Sequence, residues 1–502
     1  MGKNKSRLPF VVWPEDKAGQ TKALRQSEQL ARFRAYRDKI RNHPFTPAYH
    51  FCAPDGKIND PNGFCRWKGK YHLFYQEYPP EDPRQHWGHA VSTDLIHWED
   101  LPTAIYPDPE DAVYSGNVLV EKDRAIAMYH GPGRGNFVAV SHDPLLLNWE
   151  KLTGDAVLKP VDGAPYRIFD PYLRHEEEGY FALSGVTENT PSGPRMAEQQ
   201  FFSQDLEHWV WTGKFMDDNP YLIIGEDGAC PYFIPCRDGQ YLFFHFSHES
   251  GPHILSGIYD KATHKFRPHH HLQLSMEAPG CGTFHAPSAI SDGNGGAYLI
   301  LNCSEGRHAD PAYPRDGMFT MVYHVTIGMF NQPVVEPLPA YDELHEALLY
   351  DGNFKVERGG EFELPARGRA LDIQLEIDLG GAAGFGLDVF HSGKETTAIR
   401  FTERHGSWRD RAYLTIDSSR SSLDPLHMGK APESIQCWGS QDGKLSVRIL
   451  IDHCTVEVFL GGEVMFSTAY PTLEESDRLV FSPTGGDVTV TSAKVYSMKR
   501  IY

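Results

Sequence analysis

One heptapeptide recurs in the first half of the chain and narrows the folds open to it. Ser92-Thr93-Asp94-Leu95-Ile96-His97-Trp98 returns as Ser203-Gln204-Asp205-Leu206-Glu207-His208-Trp209, and a looser copy runs from Ser141 to Trp149. The three closing tryptophans are about 50 to 60 residues apart, the span of one propeller blade with its loops. Between the copies lie short β-type runs such as Tyr71-His72-Leu73-Phe74-Tyr75 and Tyr241-Leu242-Phe243-Phe244, bounded by Gly, Pro, Asn and Asp. At this period residues 46–340 hold about five units, so a five-bladed β-propeller is expected there.

The flanks read differently. Leu30, Phe33, Tyr36 and Ile40 fall at helical spacing and Pro44 stops the pattern, which predicts one amphipathic helix over residues 22–41. It belongs to an N-terminal extension, residues 1–45, with its arginines in solvent. The acidic stretch after Pro333, Pro337 and Pro339 reads as a linker over residues 341–352. Beyond it Leu445, Val447, Ile449 and Ile451 alternate on one strand and Val456, Val458 and Leu460 on the next, with Gly461-Gly462 as a further hairpin turn. Residues 353–502 are therefore expected to form a β-sandwich, making the chain all-β apart from its extension.

Charge and cysteine usage exclude several classes. A formal net charge of −19 disfavours nucleic acid, whose phosphates need clustered Lys and Arg. The lack of a long apolar run argues against a membrane span, and the lack of a signal-peptide h-region predicts a cytoplasmic protein. The eight cysteines show neither zinc-ligand pairs nor disulfide-scaffold density, so free thiols are expected. Adjacent strand residues point to opposite faces, so His269-His270-His271 is not expected to hold a metal.

A propeller brings the inner strands of distant blades to one mouth, where acids far apart in sequence can meet. Glycoside cleavage with retention needs two carboxyl groups about 5 Å apart, one attacking and one donating a proton. Asn59-Asp60-Pro61-Asn62-Gly63 by itself is a set of turn residues. With Gln76, Trp87-Gly88-His89 and Asp94-Leu95-Ile96-His97-Trp98 downstream, it resembles the opening blade of glycoside hydrolase family 32, the invertases, levanases and inulinases. The resemblance implies that Asp60 is the nucleophile and that Asn59, Gln76 and Trp87 line a fructosyl pocket. Tyr114-Ser115-Gly116 resembles the family's Phe-Ser-Gly element, which implies sugar contacts for Tyr114 and Ser115. Residues 447–459 resemble the family's sandwich hairpin, which implies a structural Glu457.

Two motifs depart from the family pattern. Its Arg-Asp-Pro is Phe169-Asp170-Pro171 here, which keeps Asp170 as transition-state stabiliser and leaves open whether Arg167, a substrate-binding candidate three positions before it, does the lost arginine's work. Its Glu-Cys-Pro is Ala229-Cys230-Pro231, and Ala229 has no proton to give. Glu226, in the reshapeable Gly225-Glu226-Asp227-Gly228, is expected to act as acid/base, with Asp227 second. His285, in Gly282-Thr283-Phe284-His285-Ala286-Pro287, is a further binding candidate. The resemblance implies retaining cleavage of β-fructofuranosyl linkages in sucrose, fructooligosaccharides or fructans, with no metal or organic cofactor. The alternatives are a fructosyltransferase using the same donors, an inverting propeller hydrolase of the arabinanase type, and a non-catalytic fructan-binding protein.

Overall fold

The structure, a computed structural model, describes all residues except 1–4, 185–186, 192, 218–220, 222–224, 276–281, 311–312, 314 and 405–410, and omits the side chains of 187–189 and 194. Five antiparallel sheets follow one another between Lys57 and Pro337, each built on four consecutive or near-consecutive strands. Their first strands are Lys57–Trp67, Gly116–Val120, Tyr172–Glu176, Ala229–Pro235 and Phe284–Ser291. Each packs against the first strand of the next sheet, and the fifth returns to the first, so the strands close a ring around one axis. This is a propeller, and its closed ring removes the exposed sheet edges that would invite aggregation.

The heptapeptide is the turn between the third and fourth strands of a blade. Ser92 Oγ accepts from the amides of Asp94 and Leu95, and Asp94 Oδ1 accepts from those of Ile96 and His97. The Ser203–Trp209 copy repeats all four bonds. Leu95, Leu206 and Leu146 of the looser copy each take a positive φ, of 72°, 69° and 55°. A leucine there is strained, and the side-chain acceptors satisfying the turn's amides hold it in place.

Helices Lys17–Leu24 and Glu28–Ile40 replace the single helix expected over 22–41. Ser27 ends the first pattern and caps the second helix, its hydroxyl accepting from Leu30 N. Leu30, Phe33 and Ile40 are buried as the periodicity implies. The solvated arginine face is corrected at two positions. Arg37 is half-buried, bonded to both oxygens of Asp100 and stacked on the Tyr502 ring. Arg32 pairs with Asp55 and Glu81.

Two six-stranded sheets form the C-terminal sandwich, with an apolar core of its own. Its first strand is His345–Val356, so the stretch expected as linker is a short 3-10 turn, Pro339–Leu344, followed by sandwich strand. Of the acids that suggested a linker, Asp342 and Glu343 stand in the turn, and Glu346 and Asp351 are exposed on this strand. Strands Lys444–Asp452, Thr455–Leu460 and Glu463–Thr468 form the hairpins read from the alternation.

A buried polar cluster joins the two domains. Asp452 accepts from the amides of Ala48, Tyr49 and His50, and lies 2.7 Å from His50 Nδ1. Glu457 Oε1 accepts from Tyr323 Oη at 2.8 Å and lies 3.3 Å from His50 Nε2. Burial opposes a charge on His50, but hydrogen bonds to Asp452 and Glu457 prevail and push its pKa up to about 9. Among the described residues no helix is long and apolar enough to cross a membrane.

Candidate active site

The inner strands share a local device. Asp60-Pro61, Asp170-Pro171, Cys230-Pro231 and Ala286-Pro287 each stand in or just before an inner strand. Proline has no N–H for the ladder, and in the first, fourth and fifth sheets the register slips there as a bulge. The residues around each slip turn toward the axis. Gly63, at φ 54°, lets the first strand press close, since a Cβ there would lie 2.8 Å from Val118 Cγ2. Asn62 staples this bulge, donating to Asp60 O and accepting from Gly116 N of the next blade.

These residues enclose a cavity of about 160 Å³ lined by Asn59, Asp60, Gln76, Gln85, Tyr114, Ser115, Phe169, Asp170, Ala229, Cys230, Phe246, His248 and His285. Asp60 Oδ2 accepts from Ser115 Oγ at 2.6 Å and Gln76 Nε2 at 3.0 Å. Gln76 is oriented by Asn59, which donates to its Oε1 and accepts from Asn302. Asp60 Oδ1 has no hydrogen bond and lies 3.5 Å from His285 Nε2. Burial lowers the His285 pKa, keeping the ring neutral beside the carboxylate.

Asp170 faces Asp60 across Cys230. The Cys230 amide and thiol lie 3.1 and 3.5 Å from Asp170 Oδ2, and the same sulfur is 3.9 Å from Asp60 Oδ2. Burial and then the Asp60 charge push the Asp170 pKa up to about 7, against the Cys230 hydrogen bonds. Cys230 itself stays a thiol, because burial and both carboxylates raise its pKa well above the usual value. Its backbone has φ 48°, a strained conformation that aims its amide at Asp170.

The structure thus brings together Asn59, Asp60, Gln76, Tyr114, Ser115, Asp170 and His285. It leaves out Trp87, Arg167 and Glu226. Trp87 is fully buried behind the wall, donating to Tyr114 O and packing on Phe74 and Tyr129. Arg167 is exposed, and the place of the missing arginine is filled by Phe169. Phe169 packs on an apolar cluster of Ala229, Cys230, Phe246 and Ala286, so both departures from the family motifs meet in one patch. Glu226 is buried outside the cavity wall. Asp227 is also outside it and binds His248 through both oxygens, 2.8 Å to the amide and 2.7 Å to Nδ1.

Gln85, Phe246 and His248 are wall residues that the sequence did not single out, and it assigned Cys230 no role of its own. The sequence did not point to Glu198 either, a buried carboxyl beneath Gly228 whose oxygens meet no other residue's donor among the described residues and whose pKa burial pushes up to about 8. Away from the cavity, Asp342, His345 and Asp372 converge in the sandwich, where the Arg448 guanidinium bonds both carboxylates.

Comparison with known proteins places this arrangement. Residues 50–331 match the glycosyl hydrolases family 32 N-terminal domain, and residues 344–497 match the glycosyl hydrolases family 32 C terminal domain. An acid beta-fructofuranosidase from Capsicum annuum is 28% identical over 90% of this chain and 80% of its own length. A fructan 6-exohydrolase from Beta vulgaris is 26% identical over 91% and 87%. The fold is similar to that of fructan 1-exohydrolase IIa from Cichorium intybus, with a TM-score of 0.78 at 20% identity, covering 91% of this chain and 98% of that one. With both family domains matched in order and acidic side chains gathered at the propeller axis, the chain belongs to glycosyl hydrolase family 32 and is a glycosidase.

Proposed function

We propose that this glycosidase cleaves a terminal β-fructofuranosyl unit with retention, through a fructosyl ester on Asp60. Hydrolysis of fructosyl linkages in general rests on the family and on relatives named for that activity. The observation that carries the finer reading is the state of Asp60. Ser115 and Gln76 fix one of its carboxylate oxygens, and the other is left without a hydrogen bond at the cavity. An oxygen so held is oriented for attack on an anomeric carbon. Asp170 supplies negative charge opposite, where positive charge builds on the ring in an oxocarbenium-like transition state. A cavity of about 160 Å³ suits one sugar ring, which favours removal of terminal units from sucrose, fructooligosaccharides or fructans.

Proton NMR during turnover of sucrose or a short fructan tests the reading. β-Fructofuranose should be the first anomer released. Initial release of the α anomer would make the enzyme inverting and remove the covalent role of Asp60. Product analysis at high sucrose separates hydrolysis from fructosyl transfer.

A further inference from the structure

We infer that His248, held by Asp227, is the proton donor and general base that replaces the family's missing glutamate. The inference rests on the proposed fructosyl chemistry and deepens it. Ala229 leaves the usual position without an acid, and Glu226 lies outside the cavity wall. Apart from Asp60 and Asp170, the carboxyl or imidazole side chains in the wall are His248 and His285.

The two histidines are set up for opposite states. His285 is driven toward the neutral form by burial, with the His248 charge adding to the effect. His248 is favoured as the cation, first by its hydrogen bond to Asp227 and also by the charges of Asp227, Asp170 and Asp60. Titratable groups pushed apart in one site mark an acid and its partner. The geometry agrees. His248 follows strand Gln240–Ser247, and Asp227 precedes the paired strand Ala229–Pro235, so the hairpin of the fourth blade brings them together. Asp227 grips both the backbone amide and Nδ1 of His248, which fixes the ring and leaves Nε2 as the nitrogen available to a substrate. Gly228 allows this placement, because a Cβ there would lie 2.4 Å from Met196 Cε and 2.7 Å from Glu198 Oε1.

The steps balance. The imidazolium gives its Nε2 proton to the glycosidic oxygen as the bond to the anomeric carbon breaks and Asp60 forms the ester. The neutral ring then takes a proton from water as the water oxygen attacks that carbon and Asp60 departs as carboxylate. His248 is a catalytic residue in this scheme, and Asp227 is a positioning residue.

The test compares wild type, His248→Ala, Asp227→Asn and Glu226→Gln on sucrose and on an activated aryl β-fructofuranoside. His248→Ala should lose about 10²- to 10⁴-fold in kcat/KM on sucrose, the range of general acid catalysis. It should lose far less on the aryl substrate, whose leaving group needs little protonation. Azide should accelerate that variant and yield a fructosyl azide. The wild-type profile should be bell-shaped, with its acidic limb rising as Asp170 ionises and its basic limb set by His248. Asp227→Asn should move the basic limb to lower pH while keeping most activity on the acidic side. If His248→Ala unfolds, His248→Asn, which can still donate to Asp227, takes its place. Equal losses on both substrates, or an unmoved basic limb in Asp227→Asn, would overturn the inference. So would the leaving-group and azide signature appearing in Glu226→Gln instead. Wild-type protein that releases no fructose from either substrate would sink the fructosyl reading itself, and this role with it.

Discussion

Glu457→Gln is the sharpest test of the seam between the domains. Glu457 is fully buried and shares His50 with Asp452. The His50 pKa rises from 6.5 to about 9 in the folded protein, worth about 3 kcal/mol of stability in its charged form. The pKa is raised, so this stability is complete below pH 6.5 and is lost as pH climbs through about 9. Glu457 contributes a hydrogen bond and charge on one side of the ring and Asp452 does so on the other, so roughly half, about 1–2 kcal/mol, belongs to Glu457. The amide also brings an NH₂ to the Oε2 position, which has no hydrogen-bond partner, at a cost of about 1–3 kcal/mol. The substituted side chain can still accept from Tyr323 through its amide oxygen, which adds no further cost, so the total loss near pH 6 should be about 2–5 kcal/mol. With about 2.1 cal/mol/K of unfolding entropy per residue over 502 residues, each kcal/mol is worth about 1 °C, and Tm should fall by roughly 2–5 °C. At pH 10 His50 is neutral in both proteins, and the difference should shrink by the electrostatic half. Thermal unfolding at both pH values, with kcat measured well below the transitions, checks this. A large drop in kcat with unchanged Tm would show that Glu457 acts in chemistry. An equal Tm loss at pH 6 and pH 10 would show that it does not hold a charged His50.

Asp60→Asn should fold normally and lose several orders of magnitude in turnover; retention of more than about a tenth of the rate would refute the nucleophile, since an amide cannot carry the ester. Asp170→Asn should be similarly slow, and mass spectrometry should find no trapped fructosyl adduct, because formation of the intermediate is itself impaired. Ala229→Glu and Phe169→Arg should each lower Tm by burying an unpaired charge in the apolar patch, while the double variant regains about 1–3 kcal/mol. Additive losses in that cycle would mean that the two positions do not face one another.

Local signals in the sequence reached the structure where residue type dictates backbone. The heptapeptide was legible because its Ser and Asp side chains bond amides two and three residues on, and Asp60 because Pro and Gly force a bulge beside it. His248 was not legible. Its partner Asp227 stands 21 residues earlier, and only the pairing of the fourth blade's first two strands joins them. Trp87 carried a family resemblance that names a residue without its direction, and the strand turns it into the core behind Tyr114. Arg167 offered the right charge at the wrong reach, on the exposed stretch before the third blade. The linker reading failed because this edge strand exposes most of its first half, Glu346 to Leu349 and Asp351, so its sequence lacks the apolar alternation of a half-buried strand.

The cradle formed for Asp452 by the amides of Ala48, Tyr49 and His50 has a consequence for synthesis on the ribosome. The segment that leads into the first blade finds its anchor only after some four hundred further residues have been made. Arg37 waits longer still for the ring of Tyr502, and Ala48 for the amide of Ile501. At about 5–20 residues per second this interval is roughly 20–80 s. During that time the apolar face of helix Glu28–Ile40, with Leu30, Phe33 and Ile40, lacks the C-terminal part of its final surroundings. The nascent chain therefore carries this early segment as unfinished surface until Ile501 and Tyr502 emerge, and truncation before Ile501 should leave that surface open for the life of the protein.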